Sequence, residues 1–325
     1  MKWLLPLLIS PLLFLAASTG APAGDVAIIL HGGAGGLKKG EVPAEKEAAI
    51  RAAIEEALQA GYTLLAKGGR SLDAVEAAIV LLEDNPSFNA GKGAVKTSEG
   101  RHELDASIMD GGKLKAGAVG GVTIVKNPIR AARAVMDKTW HVMLAGLGAD
   151  AFAKENGLEL VENGYFSVAA AQSKEPKSGY FGTVGAVALD KDGDIAAGTS
   201  TGGLSGKKYG RIGDSPIIGA GTYAENSTCG VSCTGQGEYF IRRAAAFDVA
   251  ARMKYAGRPL EKSAKETLDT VTSDGGQGGI IGLDQKGNVV AEFNTSSMVR
   301  GWIGFDGVAH VAIFKGPEES ETKKK

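Results

Sequence analysis

The apolar positions of this chain switch between two periods, and the switches mark its elements. Residues 26–30 (VAIIL) form a short continuous apolar run that ends in the glycines at 32–36, which reads as a buried strand entering a turn. Pro43 opens the next segment, where Ile50, Ile54, Ala57, Leu58, Gly61 and Leu65 recur at helical spacing. Ser71 reads as the N-cap of a second helix with Val75, Ala78, Ile79 and Leu82 on its buried stripe. Residues 82–95 carry Pro, Asn and Gly without a period, which predicts an ordered loop leading toward a strand. A strand follows over 117–125, then a helix capped by Asn127 with Pro128 in its first position, then more helical pattern over 144–160.

Residues 160–182 lack any sustained period and read as a mobile linker. Beyond them, 183–190 and 194–200 flank KDG, and 279–284 and 289–294 flank QKGN, two hairpin patterns. A further strand is expected over 230–235, and helices over 238–255 and 259–271. Hairpins exclude a purely parallel sheet, so the order of elements predicts an α+β fold in which mixed or antiparallel sheets are covered by helices. The tail at 316–325 is charged and is expected to be disordered.

The first 23 residues stand apart from this pattern. Lys2 precedes an apolar run from Trp3 to Ala17, and the small residues Ala21, Pro22 and Ala23 follow. This reads as a secretory signal cleaved after Ala23, or earlier near Ser18, which predicts an exported protein, periplasmic or secreted. The run is too short to span a bilayer and has no cysteine at its end to carry a lipid, so no stable membrane anchor is expected.

Composition narrows the function. Apolar residues make up 44% and charged residues 22%, the balance of a globular protein. A net charge of -1 gives no electrostatic footprint for nucleic acid. The 48 glycines lack a period of three and cluster beside strand-like runs, where backbone comes close to backbone or to a ligand. Cys229 and Cys233 lie four residues apart in an extended segment, about 13 Å between Cα atoms, too far for a disulfide. With four histidines and no CxxC, a structural zinc site is not expected.

The chain has no P-loop, no HExxH and no EF-hand. Thr183 is the unusual candidate. It follows Gly182 at the end of the linker and opens a strand. A cut before it would give one residue both a hydroxyl and a free α-amine, and an α-amine of pKa about 7.7–8.0 can take the hydroxyl proton near neutral pH. Local sequence alone favours reading Thr183 as an ordinary β-branched residue at a strand start.

A series of fragments changes that balance. HGGAG (31–35), LEDNPSFNAGKGA (82–94), HELDASIMDG (102–111), KAGAVGGV (115–122), GTVGAVALD (182–190), TSTGG (199–203), GRIGDSPIIGAGTYA (210–224), SCTGQGE (232–238) and GGQGGIIGLD (275–284) occur in this order. Together they resemble the plant-type asparaginase and isoaspartyl peptidase family of N-terminal nucleophile hydrolases, over about residues 26–314. The resemblance implies a four-layer αββα sandwich of two mainly antiparallel sheets covered by helices. It implies self-cleavage between Gly182 and Thr183 into an α subunit of residues 24–182 and a β subunit of 183–325, which together form one composite domain. It also implies a homodimer of αβ units. The linker is shorter than in many relatives.

By those motifs Thr183 matches the catalytic threonine, and Thr201 the second threonine that tunes it. Arg211 and Asp214 match the pair that holds a substrate's α-carboxylate and α-amine, while Thr234 and Gly235 match the oxyanion donors. Asn89 matches an asparagine that orders the site. The 82–92 loop resembles the family's sodium-binding loop, built from carbonyls such as those of Leu82, Glu83, Phe88 and Ala90. No other cofactor is implied. His31 reads as structural, and Gln236 stands at a position that varies in the family. The implied substrates are β-aspartyl peptides and L-asparagine. Two other readings compete: a glycosylasparaginase, which shares the fold and the clamp, and a binding protein without catalysis on the same fold.

Overall fold

The computed structural model describes residues 26–167 and 182–315. The segment expected to be a signal, most of the expected linker and the C-terminal tail lie outside the described residues. The strands are β1 (Ala27–Gly35), β2 (Leu104–Asp110), β3 (Lys115–Val122), β4 (Met143–Ala145), β5 (Val184–Leu189), β6 (Ile195–Thr201), β7 (Thr222–Ala224), β8 (Cys229–Gly235), β9 (Gly278–Asp284), β10 (Val289–Phe293), β11 (Ser297–Ile303) and β12 (Ala309–Phe314). The helices are α1 (Ala44–Ala66), α2 (Ser71–Glu83), α3 (Pro128–Lys138), α4 (Gly146–Glu155), α5 (Gly237–Arg243), α6 (Ala245–Ala256) and α7 (Leu260–Ser273).

Eight strands form one sheet in the order β12-β11-β1-β5-β6-β2-β3-β4, and four form another in the order β10-β9-β8-β7. Every pair is antiparallel except β3 with β4. Three apolar cores separate four layers, and strand alternation decides which side chain enters which core. Ile28 and Leu30 of β1 join the core with α1 and α2, whereas Ala27 and Ile29 enter the space between the sheets. Val231 and Cys233 of β8 face a third core under α6 and α7. This is the αββα sandwich expected from the fragments.

Several local expectations shift. Ser71 is the first residue of α2 rather than its cap. Its backbone N–H donates to Asp190 Oδ2 at 2.8 Å, so a carboxylate from the end of the β5 strand serves the helix terminus. Asn127 precedes α3 as expected, but its side chain donates to Asp84. Glu83 supplies the cap instead, with Oε1 accepting the Ile129 N–H at 3.0 Å. The expected helix over 238–255 breaks at Ala244, which adopts a left-handed conformation (φ 46°). The break lets the Ala246 and Phe247 amides bond to the carbonyls of Ala220 and Gly219. The start of the expected linker is fixed: Leu160 bridges Val125, residues 163–166 form a 3-10 turn, and Phe166 is fully buried. The expectation of mobility concerns residues 168–181, which lie outside the described residues. Cys229 and Cys233 are free and buried on β8, as their extended spacing requires.

Candidate active site

The β5–β6 hairpin places the two threonines. Val184 pairs with Ser200, so the same register sets Thr183 opposite Thr201. Their hydroxyl oxygens lie 3.0 Å apart, and both residues are buried. Thr201 Oγ1 also accepts the Gly203 N–H at 3.0 Å, which fixes the TSTGG turn around it. His31 holds the other side of Thr183. Its Nδ1–H donates to the Thr183 carbonyl at 2.9 Å, so Nε2 is left to accept the Ser232 hydroxyl, also at 2.9 Å. Burial pushes the imidazole down to about pKa 3, and it stays neutral. Gly185 is required beneath this contact, because a Cβ there would stand 2.0 Å from Ser232 Oγ and 2.4 Å from His31 Nε2.

Asn89 meets the scissile position through its backbone. Its N–H donates to the Gly182 carbonyl at 2.9 Å, a bond that the sequence gives no sign of. Its side chain braces the neighbouring turn: Oδ1 accepts the Val95 N–H and Nδ2 donates to the Gly203 carbonyl at 2.7 Å. Gly33 packs so closely that a Cβ there would stand 2.4 Å from Gly182 Cα, which, with its φ of 105°, restricts the position to glycine.

Across the cleft, Thr234 is fully buried on β8 and accepts the Ala34 N–H at 3.3 Å. Gly235 closes that strand at φ 150°, where a Cβ would meet the Gln277 carbonyl at 2.3 Å. Arg211 makes a bidentate pair with Glu238, Nε to Oε1 at 2.9 Å and Nη2 to Oε2 at 3.0 Å. Asp214 is buried, and its Oδ2 has no hydrogen-bond partner among the described residues. Burial pushes its carboxyl up to about pKa 7, against the opposing pull of its own backbone amide and of Arg211. A buried acceptor without a donor is costly, so this oxygen is suited to an incoming cation. Gln236 is partly buried, and its Oε1 accepts the Gln277 N–H at 2.9 Å.

Thr183, Thr201, Gly203, Leu204, Arg211, Gly213, Asp214, Ser215 and Gly235 line one small cleft. Asn89 and Thr234 do not line the cleft: Asn89 bonds to its Gly203, and Thr234 directly precedes its Gly235. A larger cavity of about 1320 Å³ opens elsewhere, beside Thr228, Asp284, Val289 and Trp302, and contains none of these residues.

Leu82 and Glu83 end α2 and Phe88 and Ala90 lie in the loop after it, and all four are buried. The Glu83 carbonyl oxygen lies 2.4 Å from where a Gly91 Cβ would be, and the Phe88 carbonyl oxygen 2.6 Å from that of Gly93. This packing restricts both positions to glycine, and the Glu83 carbonyl also accepts the Lys92 N–H at 2.6 Å. Burial raises the Glu83 carboxyl to about pKa 8 despite hydrogen bonds from Ser200 and Ile129.

A family model described as asparaginase matches residues 24–180 and 167–313. The chain belongs to the asparaginase family. Among its relatives, an isoaspartyl peptidase of Escherichia coli (strain K12) is 44% identical over 303 residues, covering 87% of this chain and 94% of that protein. An isoaspartyl peptidase/L-asparaginase of Xenopus laevis is 39% identical over 302 residues, covering 89% and 95%. One of Mus musculus is 40% identical over 293 residues, covering 84% and 86%. The asparaginase chain described here is an enzyme, a threonine-nucleophile amidohydrolase.

Proposed function

We propose that this asparaginase hydrolyses β-aspartyl peptide bonds and the side-chain amide of L-asparagine with Thr183, after cutting itself between Gly182 and Thr183. The observation that carries the proposal is the 3.0 Å contact of the Thr183 and Thr201 hydroxyls in the same cleft as Asp214, whose buried Oδ2 has no hydrogen-bond partner among the described residues. In the first stage Thr183 Oγ1 attacks the Gly182 carbonyl carbon, whose oxygen the Asn89 N–H polarises. The Thr183 hydroxyl proton passes to its own amide nitrogen as the C–N bond breaks, which leaves an ester on Oγ1 and a free amine. Water then cleaves the ester and leaves the Gly182 carboxylate. In the second stage the free amine takes the Thr183 hydroxyl proton, and Oγ1 attacks the side-chain carbonyl of an aspartyl unit. Thr234 and Gly235 stabilise the developing oxyanion, the leaving amine takes up the proton, and water regenerates the enzyme. Arg211 and Asp214 hold the α-carboxylate and α-ammonium. The family match and its relatives give a glycosylasparaginase reading no specific support, and an enzyme family weighs against a non-catalytic binding protein.

Turnover of β-aspartyl dipeptide, L-asparagine and N-acetyl-asparagine tests the substrate assignment. Acetylation removes the ammonium and leaves Asp214 buried and unpaired, a cost of about 1–3 kcal/mol or more, so kcat/KM should fall at least about fivefold. Equal turnover of the acetylated compound would refute the clamp.

A pH dependence follows from Asp214. Its carboxyl sits near pKa 7 in the empty cleft, so it is neutral below that pH and cannot pair with an ammonium. Binding of the product L-aspartate involves no bond-making and reads this group apart from the Thr183 amine. Its inhibition constant should weaken as pH falls below about 7, by roughly tenfold per unit once Asp214 is mostly protonated. A constant that stays flat between pH 5.5 and 7.5 would exclude this role.

Three further elements belong to the proposal. Export rests on the Lys2-to-Ala23 pattern and assembly of two αβ units on the family resemblance. N-terminal sequencing and light scattering of mature protein read both. A sodium ion on the carbonyls of Leu82, Glu83, Phe88 and Ala90 would stiffen the loop that carries Asn89 and take no part in the chemistry. Loss of thermal stability when choline replaces sodium is the corresponding measurement.

A further inference from the structure

We infer that Glu238 is a positioning residue that holds the Arg211 guanidinium by one edge, so that its other edge faces the cleft. This rests on the substrate clamp proposed above and adds the residue that aims it. An arginine has two usable forks, Nε with Nη2 and Nη1 with Nη2. Glu238 occupies the first with both carboxylate oxygens, at 2.9 and 3.0 Å. The second faces the glycines of the cleft: a Cβ at Gly213 would lie 2.7 Å from Arg211 Nη1, and one at Gly203 3.4 Å from it. Gly203 and Gly213 line the same cleft as Thr183 and Thr201.

Sequence and helix geometry explain why the carboxylate is available. Glu238 lies in the first turn of α5, directly after the strand that ends in Thr234 and Gly235. An acidic residue is favoured there by the helix dipole. Gly237 lets the turn pass close to the clamp, since a Cβ there would stand 2.7 Å from Asp214 Oδ1 and 3.0 Å from Arg211 Nη2. Arg211 is largely buried whereas the Glu238 side chain is half exposed (18% against 53%). Its outer face in water lets Glu238 keep the pair without blocking the cleft. The Arg211 hydrogen bond holds the Glu238 carboxyl below the usual range, so it stays ionised through neutral pH.

Steady-state kinetics on β-aspartyl dipeptide and inhibition by L-aspartate, with Glu238→Gln, Glu238→Ala and Glu238→Asp, test the assignment. Without the pair, substrate binding must order the Arg211 side chain. KM and the L-aspartate inhibition constant should therefore rise about two- to tenfold while kcat stays close to the parent value. Glu238→Asp keeps the charge and should recover part of the loss. Intact mass showing normal cleavage before Thr183 would establish that each variant is folded. A fall in KM would mean that Glu238 competes with substrate for Arg211, and an unchanged KM would mean that the pair is incidental. Either result overturns the inference. A rise confined to variants with lower kcat and incomplete cleavage would assign Glu238 a structural role and also overturn it. If the parent enzyme fails to hydrolyse the dipeptide, the clamp reading itself is wrong, a distinguishable failure.

Discussion

Thr183→Ala protein is expected to remain a single uncut chain and to lose about 10⁴-fold or more of the β-aspartyl dipeptide turnover. The loss is large because one side chain serves two reactions. Oγ1 is the attacking atom in self-cleavage, and only cleavage releases the amine that later accepts its proton. Neither neighbour replaces it: Thr201 Oγ1 lies 3.0 Å away and is tied to the Gly203 amide, and His31 faces the Thr183 carbonyl rather than its hydroxyl. Thr183→Ser retains the hydroxyl and should still cut, though more slowly. Thr183→Cys should cut, since a thiol is the stronger nucleophile, and turn substrate over poorly in a site shaped for a threonine. Thr201→Ala keeps the attacking atom and should lower turnover less than Thr183→Ala. Intact mass with dipeptide turnover reads all four variants, and the mass of the N-terminal fragment also shows whether residues 1–23 are removed. Cleavage and parental turnover in Thr183→Ala would defeat the proposed mechanism.

The sequence made the ends of the argument visible and hid its middle. The KDG hairpin was legible because alternating apolar positions flank a turn signal, and its register is what sets Thr183 against Thr201. β2 was not recognised from periodicity, although it lies beside β6 within the large sheet. Its residues, LDASIMD, are buried on both faces, so the alternation that marks a half-exposed strand is absent. β11 shows the same full burial along most of its length, and Arg300 within it is buried and polar, which breaks the pattern further. The caps of α2 and α3 were misread because their partners are distant in sequence: Asp190 is 119 residues from Ser71, and Glu83 is 46 from Ile129. The same reason hides the Asn89 amide on Gly182 and the Glu238 pair on Arg211. Both depend on which backbone atoms the tertiary fold brings together, and residue type alone does not specify that. Glu238 did leave a trace, as an acidic residue in the first turn of a helix whose preceding strand carries the expected oxyanion donors.

Arg211→Ala should separate binding from self-activation. Removing one member of a buried charge pair costs about 2–5 kcal/mol, so kcat/KM for β-aspartyl dipeptide should fall by roughly 30- to several thousand-fold, mostly through KM. Glu238, left without its partner, is half exposed and can be hydrated. Asp214 is affected more, because the Arg211 charge is one of the few forces lowering its carboxyl pKa. Its pKa should rise further in the variant, so the ammonium subsite weakens along with the carboxylate subsite. Arg211→Lys keeps the positive charge but presents a single ammonium where the substrate carboxylate needs a planar fork. It should therefore restore much of the Asp214 ionisation and only part of the affinity. Cleavage between Gly182 and Thr183 should proceed in both variants, since the groups that touch that bond are Asn89, Gly33, His31 and Thr201. The decisive comparison is fragment mass against KM in the same preparation. Normal cleavage with unchanged KM in Arg211→Ala would remove Arg211 from the substrate site. Failed cleavage would place it in the self-processing machinery instead. Normal cleavage with a KM raised about 30-fold or more would leave Arg211 with a single role, the capture of a carboxylate.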